Sequence, residues 1–337
     1  MIKGYLKLTA SVMAAALLTA GLYGCGSSSE VSSGGAEYPQ SIEASQTPSE
    51  NISDASNDTK EPYDGRLSYD KSDTLYETPD GFSQMREGKS YGETQVVSYF
   101  SSTVGRYRSA TVILPYNYDS SKSYPVLYLL HGMGGNYTSW EAFGCKYTVQ
   151  NAVEDYGRSD MIIVCPTVFT SVSGENESGY AFPALTAEYD NCIDDIVNDL
   201  MPYINENFSV KTGREYTAIA GFSLGGREAL YIGYSHPELF GYIGAFSPVQ
   251  GVVPSSSSSG ISLPALLDDF SVDASVGQPY LNLLTVGYDD PYCLAATEFY
   301  DRYMTENGID HIFYEMECAH DAGVWLSGLY NFARRIF

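Results

Sequence analysis

Short apolar runs alternate with longer mixed segments through most of the chain beyond residue 90. A run such as Val126–Leu130, which contains no charged residue, is typical of a strand buried on both faces. The longer segments place apolar residues at helical spacing, as Asp190–Asn207 does with Ile193, Ile196 and Leu200. Buried strands that alternate with helices predict an α/β fold, in which a mostly parallel central sheet carries helices on both faces.

The same alternation predicts the bounds of the individual elements. The predicted strands are Val96–Phe100, Ala110–Leu114, Val126–Leu130, Met161–Cys165, Tyr216–Ala220, Tyr242–Phe246, Leu281–Val286 and His311–Met316. The predicted helices are Ser139–Asp155, Asp190–Asn207, a helix that begins near Arg227, Cys293–Asn307 and Ala322–Ile336. The segment Thr170–Leu185 is predicted to be a loop. On Asp190–Asn207, we expect Asp194, Asp195 and Asp199 to face solvent, because they lie opposite the apolar stripe.

The N-terminal segment has the pattern of a secretion signal, in which Lys3 and Lys7 precede an apolar stretch. This stretch ends in Leu22-Tyr23-Gly24-Cys25, which resembles a bacterial lipobox, where the cysteine is lipidated and becomes the new N-terminus. We therefore expect residues 1–25 to be a lipoprotein signal peptide with Cys25 as the lipidation site; a plain signal peptide is the alternative. The protein would then be extracytoplasmic, either anchored to the cell membrane by its lipid or secreted.

Residues 26–78 are mostly polar, acidic and small, with few aliphatic side chains. Such a segment cannot bury enough apolar surface to offset the entropy lost on ordering. It is therefore predicted to be a disordered tether that precedes the folded domain, residues 79–337. Within that domain, the run Ser255–Ser259 is predicted to be a flexible connector, with a substrate-covering loop as the alternative.

Net charge and cysteine spacing exclude several classes of function. The net charge of −24 opposes binding to nucleic acid, because phosphates would be repelled. The six cysteines match no zinc or iron–sulfur pattern, so neither a metal site nor a cofactor is expected. Five cysteines follow Cys25, and because that number is odd at least one thiol should be free. The sequence leaves their pairing open; they are Cys145, Cys165, Cys192, Cys293 and Cys318.

The hexapeptide Gly221–Gly226 lies between the predicted strand Tyr216–Ala220 and the helix that follows it. It places Ser223 two residues after one glycine and two before another, which is the pattern of a nucleophile elbow. The sharp turn needs strained backbone at the serine, and a Cβ at either glycine would collide with the neighbouring strand or helix. The free N–H groups and the dipole of the following helix would point at the serine oxygen. Ser223 is therefore the predicted nucleophile.

A serine hydroxyl needs a base that removes its proton and a third group that orients the base. In parallel α/β sheets these groups lie at the carboxyl ends of strands, and after an elbow of this kind the acid precedes the histidine. Of the four histidines, only His320 follows a strand end in the correct order, so it is the predicted base. Asp290, just past the strand Leu281–Val286, is the predicted acid, with Asp289 as the alternative. Asp321 is expected to cap the last helix.

Ester chemistry at a serine also needs two N–H groups aimed at the developing oxyanion. One is the backbone N–H of Leu224, the first residue after the nucleophile. The other is expected from the loop His131–Gly135, whose sequence has the H-G-x-G-G form of such loops. Met133 N–H is the predicted second donor, since the glycines around it let the backbone approach a substrate closely. His131 is expected to shape this loop rather than to act as a base.

Three stretches, Tyr128–Gly135, Ala218–Gly226 and His320–Trp325, carry a resemblance to a known family. They resemble the esterase-D-type α/β-hydrolases, and within these the chain is most similar to the bacterial feruloyl esterases and acetyl xylan esterases of carbohydrate esterase family 1. The similarity covers the folded domain and implies the α/β-hydrolase fold. The family's acid lies in a Gly-x-x-Asp stretch, which supports Asp290 over its neighbour. Cys293 and Cys318, close in sequence to the acid and the base, suggest the hypothesis that these two thiols form a disulfide.

The resemblance implies a serine carboxylic-ester hydrolase that removes feruloyl, other cinnamoyl or acetyl groups from plant cell-wall polysaccharide such as xylan. Its partners would be the polysaccharide ester and, through the lipid anchor, the membrane. The same scaffold hosts other acyl chemistry, so a general carboxylesterase or an acyltransferase is one alternative. A surface-binding lipoprotein that has lost catalysis is another, although the complete set of Ser223, Asp290 and His320 argues against it. The sequence does not choose between feruloyl and acetyl groups.

Overall fold

Eight strands form one sheet in the computed structural model of the protein, which describes residues 72–255 and 263–337. The strands are β1 (Thr94–Ser101), β2 (Arg106–Ile113), β3 (Val126–Leu130), β4 (Ile162–Pro166), β5 (Thr217–Phe222), β6 (Tyr242–Phe246), β7 (Leu281–Gly287) and β8 (Ile312–Met316). Their spatial order is β1-β2-β4-β3-β5-β6-β7-β8. β2 pairs antiparallel with β1 and β4, and the remaining pairs are parallel. The predicted mostly parallel sheet is confirmed.

Helices cover both faces of this sheet, as predicted. They are α1 (Ser139–Phe143), α2 (Cys145–Tyr156), α3 (Phe182–Asp190), α4 (Met201–Asn207), α5 (Leu224–Ser235), α6 (Leu294–Glu306) and α7 (Ala322–Ala333). One apolar core lies between the sheet and α3, α4, α5 and α6. A second core lies under α1, α2 and α7 on the opposite face. Since the central strands are buried on both faces, they are continuous apolar runs rather than alternating ones.

Two predicted helices are interrupted in the structure. The segment Ser139–Asp155 is divided at Gly144, whose φ of 92° is left-handed and ends α1. The segment Asp190–Asn207 contains a short helical turn, Cys192–Asp194, a π-helical turn, Asp195–Leu200, and then α4. The apolar spacing predicted a helical path here, but it contained no signal for the breaks.

The expectation that Asp195 faces solvent is wrong, because its carboxylate is completely buried. It accepts hydrogen bonds from Arg108 Nη1 and Tyr99 Oη, both at 2.6 Å. Asp199 is half-buried and accepts from Ser102 and Thr103 at the β1–β2 turn. Helical spacing could not reveal these contacts, because their donors lie on or beside an antiparallel hairpin almost a hundred residues earlier. Asp194 is exposed, as expected.

The predicted boundary at residue 79 is too late. Tyr76 stacks on Tyr314 with ring centroids 4.5 Å apart, and Asp73 accepts a hydrogen bond from Arg334 at 2.9 Å. The folded part of the chain therefore includes at least residues 72–78, which the prediction assigned to the tether. The signal peptide, Cys25, the rest of the tether and most of the serine run lie outside the described residues. Within the described residues, no helix has the length and apolar character needed to cross a membrane.

Candidate active site

Ser223 occupies the sharp turn between β5 and α5, with backbone angles φ 56° and ψ −122°. A positive φ is unfavourable for a residue with a Cβ, and the surrounding structure must enforce it. Ser223 N donates to the carbonyl of Phe246 at 3.0 Å, and Ser223 O accepts from Val249 N at 3.2 Å. The neighbouring strand β6 and the loop after it thus hold the turn at the carboxyl edge of the sheet.

The glycines beside Ser223 are required by close backbone packing. A Cβ built on Gly221 would lie 2.3 Å from the carbonyl oxygen of Gly225. A Cβ on Gly225 would lie 2.4 Å from the carbonyl oxygen of Leu130. Both distances are shorter than any real Cβ contact, so α5 can begin this close to β3 and β5 only because these positions lack side chains. The steric reason given for the predicted elbow is confirmed.

The structure brings the three predicted catalytic side chains into one hydrogen-bonded row. His320 Nε2 lies 3.0 Å from Ser223 Oγ, and His320 Nδ1 lies 2.7 Å from Asp290 Oδ2. Ser223 is 5%, Asp290 2% and His320 7% exposed, so bulk water does not compete for these bonds. The three residues come from the turns that follow β5, β7 and β8, and the sheet order there is β5-β6-β7-β8.

Asp290 is fixed by its own local turn. Its Oδ1 accepts the backbone N–H groups of Tyr292 and Cys293, both at 2.9 Å. Burial opposes ionisation of this carboxyl, but the hydrogen bonds from His320 and from these amides outweigh that cost and lower its pKa. The ionised carboxylate accepts a hydrogen bond from the N–H at His320 Nδ1, which keeps the proton there and leaves Nε2 free to accept a proton from Ser223 Oγ. Asp289, the alternative acid, is exposed.

The predicted oxyanion donors are the backbone N–H groups of Leu224 and Met133. Among the described residues, no backbone or side-chain acceptor takes either N–H. Leu224 is the first residue of α5, whose N-terminal end carries partial positive charge. Met133 lies in a tight turn, in which Gly135 N donates to Gly132 O at 3.2 Å and Gly134 has φ 76°. These values fit a type II turn, which needs a glycine at its third position.

His131 shapes the oxyanion loop. Its Nε2 accepts the N–H of Val168 at 2.8 Å, so the ring proton is on Nδ1, which donates to Gly132 O at 2.7 Å. Burial lowers the pKa of His131 to about 4, and the ring is therefore neutral near pH 7. The neutral ring connects the residues after β4 to the residues after β3.

Two side chains beside the oxyanion loop were not found from the sequence. Tyr189 Oη, on α3, lies 3.2 Å from Gly132 O and 2.7 Å from Glu177 Oε1. Glu177 also accepts the N–H of Gly134, at 3.0 Å for Oε2 and 3.2 Å for Oε1. Burial raises the pKa of the Glu177 carboxyl against the effect of these hydrogen bonds. The sequence held no signal for this contact, because Glu177 lies in a polar loop without periodicity.

Aromatic side chains support the catalytic loops from the second core. Phe222 stacks on Trp325 with ring centroids 4.1 Å apart, and the Trp325 ring meets the ring of His320 edge-on at 5.4 Å. Trp140 is 1% exposed and donates from Nε1 to Leu130 O at 3.0 Å, so it packs in the core. Asp321 caps α7 by accepting from Gly323 N at 2.8 Å, as predicted.

Among the described residues, one cluster of three possible metal ligands is found, and it shares Asp290 and His320 with the catalytic row. Possible ligand atoms of Asp290, Cys293 and His320 lie within 4.8 Å of one another. The carboxylate and imidazole are already joined by the 2.7 Å hydrogen bond, and burial beside Asp290 raises the pKa of the Cys293 thiol. A cation would have to displace that hydrogen bond, so these residues do not form a preorganised metal site.

The hypothesis of a Cys293–Cys318 disulfide is wrong. Both thiols are free, as are those of Cys145, Cys165 and Cys192. Cys318 Sγ donates instead to Asp321 Oδ1 at 3.0 Å, at the start of α7. Proximity in sequence to the two catalytic residues did not bring the sulfur atoms together.

Residues 101–282, more than half of the chain, match the family model Esterase, described as "Putative esterase". The chain belongs to the Esterase family. The matched range contains the oxyanion loop and the elbow but ends before Asp290 and His320, so this match alone does not cover the acid and the base.

Curated relatives of this Esterase-family chain are much longer proteins. It is 32% identical over 172 residues to an endo-1,4-beta-xylanase/feruloyl esterase of Xylanibacter ruminicola, which is 49% of this chain and 23% of the relative. It is 26% identical over 158 residues to endo-1,4-beta-xylanase Y of Acetivibrio thermocellus, 43% of this chain and 13% of the relative. The chain thus spans less than a quarter of the length of the curated relatives it matches.

Solved structures support both family and fold. A CE1 ferulic acid esterase from Anaeromyces mucronatus, solved with ferulic acid, is 33% identical, with a TM-score of 0.73 over 78% of this chain and 97% of that one. An S-formylglutathione hydrolase from Staphylococcus aureus is 19% identical, with a TM-score of 0.52 over 72% of this chain and 98% of that one. The second likeness concerns the fold alone. The α/β-hydrolase fold expected from the resemblance is confirmed, and the chain is placed with carbohydrate esterase family 1.

Proposed function

We propose that this chain is a serine esterase that hydrolyses ester-linked feruloyl or acetyl groups on xylan-type polysaccharide. The observation that carries the proposal is the buried, hydrogen-bonded row Ser223–His320–Asp290. A hydroxyl, a base with an oriented proton and an oxyanion site are the parts that acyl transfer from an ester needs. The names of the relatives, which include feruloyl esterases and xylanases, support the choice of substrate.

In the proposed reaction, Ser223 Oγ attacks the ester carbonyl carbon while His320 Nε2 takes its proton. The carbonyl oxygen becomes an oxyanion, which accepts hydrogen bonds from the N–H groups of Met133 and Leu224. Collapse of this intermediate breaks the bond to the sugar oxygen, which leaves with the proton from His320. Water then attacks the acyl-enzyme by the same steps and releases the acid. Asp290 holds the imidazole in the tautomer that both steps need.

The test is release of ferulic acid from feruloylated arabinoxylan, measured beside release of acetate from acetylated xylan. We expect the wild-type chain to release at least one of the two acids. Ser223→Ala should release neither, because it removes the oxygen that lies 3.0 Å from the proposed base, His320 Nε2. Activity of the wild type that persists in Ser223→Ala would overturn the serine mechanism. A wild type that hydrolyses p-nitrophenyl acetate but neither polysaccharide would overturn the substrate assignment alone.

We also propose that the enzyme acts outside the cytoplasm, held to the membrane by a lipid on Cys25. The sequence Leu22-Tyr23-Gly24-Cys25 supports this, and export suits a polymer too large to enter a cell. A diacylglycerol together with an amide-linked chain would give stable anchoring. The protein expressed in a bacterial host should partition into the detergent phase of Triton X-114, and Cys25→Ala should move it to the aqueous phase. Equal partition of both proteins would contradict the anchor.

A further inference from the structure

The oxyanion turn Gly132–Gly135 is held by a side chain from another loop as well as by its own backbone hydrogen bond. Its internal hydrogen bond, from Gly135 N to Gly132 O, is 3.2 Å long and closes the turn only at its ends. The peptide groups between those ends need outside partners to fix their tilt, because glycine provides no side chain to restrict them. The tilt matters because the N–H of Met133 has to point at the oxyanion.

Glu177 supplies that partner. Its carboxylate receives the N–H of Gly134 at 3.0 Å and 3.2 Å, so one amide is shared between both oxygens. Gly134 follows Met133 directly, and the two N–H groups belong to consecutive peptide planes. Holding one plane therefore limits rotation of the other. A hydrogen bond to a charged acceptor is about twice as strong as a neutral one, which suits a role in fixing an otherwise mobile turn.

Tyr189 orients the carboxylate of Glu177. The phenol is completely buried, and its oxygen lies 2.7 Å from Glu177 Oε1. Its position is set by α3 and by edge-on contacts with the rings of His131 and Phe169, at 6.1 Å and 5.6 Å. The phenol has one proton to donate, and the nearer, charged oxygen is the better acceptor than Gly132 O at 3.2 Å.

The loop that carries Glu177 is itself fixed to the sheet. Arg108, buried on β2, donates to the carbonyls of Thr167 and Phe169 at 2.7 Å and 2.9 Å. Arg106 donates to Ser171 O at 2.7 Å. These hydrogen bonds fix the first part of the loop after β4. The same loop then carries Glu177 to the oxyanion turn.

We propose that Glu177 is a positioning residue for the oxyanion hole, which fixes the Met133 N–H by holding the amide of Gly134, and that Tyr189 acts through Glu177. This inference rests on the proposed function, because the turn has a catalytic role only if Ser223 attacks an ester. Glu177 touches no reacting atom in this scheme. Its effect should therefore appear in stabilisation of the tetrahedral intermediate rather than in binding of the ester.

The test compares kinetics of p-nitrophenyl acetate hydrolysis in Glu177→Ala, Glu177→Gln and Tyr189→Phe. Misplacing a catalytic group by about 1 Å can cost about 100-fold in rate, so Glu177→Ala should lower kcat about 10- to 100-fold with little change in KM. Glu177→Gln keeps an oxygen acceptor and should stay within about 5-fold of wild type. The affinity for a boronic acid that forms a tetrahedral adduct on Ser223 should fall in Glu177→Ala by the same factor as kcat.

A double-mutant cycle separates positioning from general loosening of the structure. If Tyr189 acts through Glu177, Glu177→Ala/Tyr189→Phe should be no slower than Glu177→Ala alone. Glu175→Ala is the matched control, because Glu175 lies on the same loop and its carboxylate faces Arg108 Nε at 3.7 Å. It should keep the wild-type kcat and boronic acid affinity.

Three results would overturn the inference: an unchanged kcat in Glu177→Ala, a rise in KM at constant kcat, or equal losses in the Ala and Gln variants. The proposed function is judged separately, by wild-type hydrolysis and by its loss in Ser223→Ala. If that pair behaves as expected and Glu177→Ala keeps full activity, the positioning role alone fails. If wild type and Ser223→Ala are equally inactive, the proposed function fails first.

Discussion

Nε2 of His320 lies 3.0 Å from Oγ of Ser223, although 97 positions separate the two residues along the chain. The distance depends on three parallel strands, because β5 carries the serine, β8 carries the histidine, and β7 between them in the sheet carries the acid. Parallel pairing places all three strand ends at one edge of the sheet. The catalytic row is therefore a consequence of strand order, and each member can be tested alone.

Asp290 should be essential while its neighbour Asp289 is not. In Asp290→Asn, the amide no longer favours the proton on His320 Nδ1, so Nε2 cannot serve as the base, and kcat should fall about 10³- to 10⁴-fold. Asp289→Asn is the matched control, since its exposed carboxylate lies outside the row and should leave kcat unchanged. The measurement is steady-state hydrolysis of p-nitrophenyl acetate. Equal losses in the two variants would contradict the assignment of the acid.

Gly225→Ala should destabilise the protein far more than Gly157→Ala. The new Cβ at 225 would overlap the carbonyl oxygen of Leu130 at 2.4 Å, which we expect to cost about 3 kcal/mol in the free energy of unfolding. At Gly157, no atom lies within 4 Å of the added Cβ, and only its φ of 62° opposes alanine, at about 1 kcal/mol. Urea unfolding measures both. Similar losses would show that steric overlap at the elbow is relieved by small shifts.

His131 should make the protein less stable as the pH falls. Its pKa is about 4 in the folded protein against an ordinary value of 6.5, so the unfolded chain binds the extra proton first as the pH falls below 6.5. The contribution is fully present above pH 6.5 and decreases towards pH 4, by about 3 kcal/mol in total.

The check is urea unfolding of wild type and His131→Gln at pH 7.5 and pH 5. The variant should be less stable at pH 7.5 because it loses the bonds to Val168 and Gly132, but its stability should change less between the two values. His236→Gln, at a half-exposed helix end, is the control and should keep the wild-type dependence on pH. An equal slope in His131→Gln and wild type would contradict a buried neutral His131.

Arg227 should stabilise the protein mainly through its contacts with Asp190 and with the buried carboxyl of Glu228. Its guanidinium contacts Asp190 and lies 2.6 Å from Glu228 Oε1, and burial raises the pKa of Glu228 to about 8. Arg227→Met removes the donor to the buried Glu228 carboxyl and to Asp190, and should lower the free energy of unfolding by about 1–3 kcal/mol.

Arg227→Met/Glu228→Gln removes both members of the pair and should recover part of that loss. The two single variants and the double variant form a cycle that can be read from urea unfolding. If the double variant loses as much as the sum of the singles, the two side chains are not energetically coupled.

The polypeptide sequence by itself determined the fold class and most of the site. The wholly apolar strands predict a parallel sheet because such strands must be covered on both faces. The elbow glycines around Ser223 could be found because strained backbone leaves a local signature. His320 and Asp290 could be found because parallel topology orders the functional loops along the chain.

Only the tertiary structure decided which side chains support these groups. Glu177 and Tyr189 reach the oxyanion loop from segments that no short-range pattern connects to it. Arg108 holds the start of the loop that carries Glu177. Asp195 has the spacing of a surface acid but is buried, because its donors are supplied by β1 and β2. Strand order determines which strand ends lie close together, so the sequence can predict the reacting groups. Long-range hydrogen bonds depend on how loops that are distant in sequence pack together. The local periodicity of the sequence carries no information about that packing.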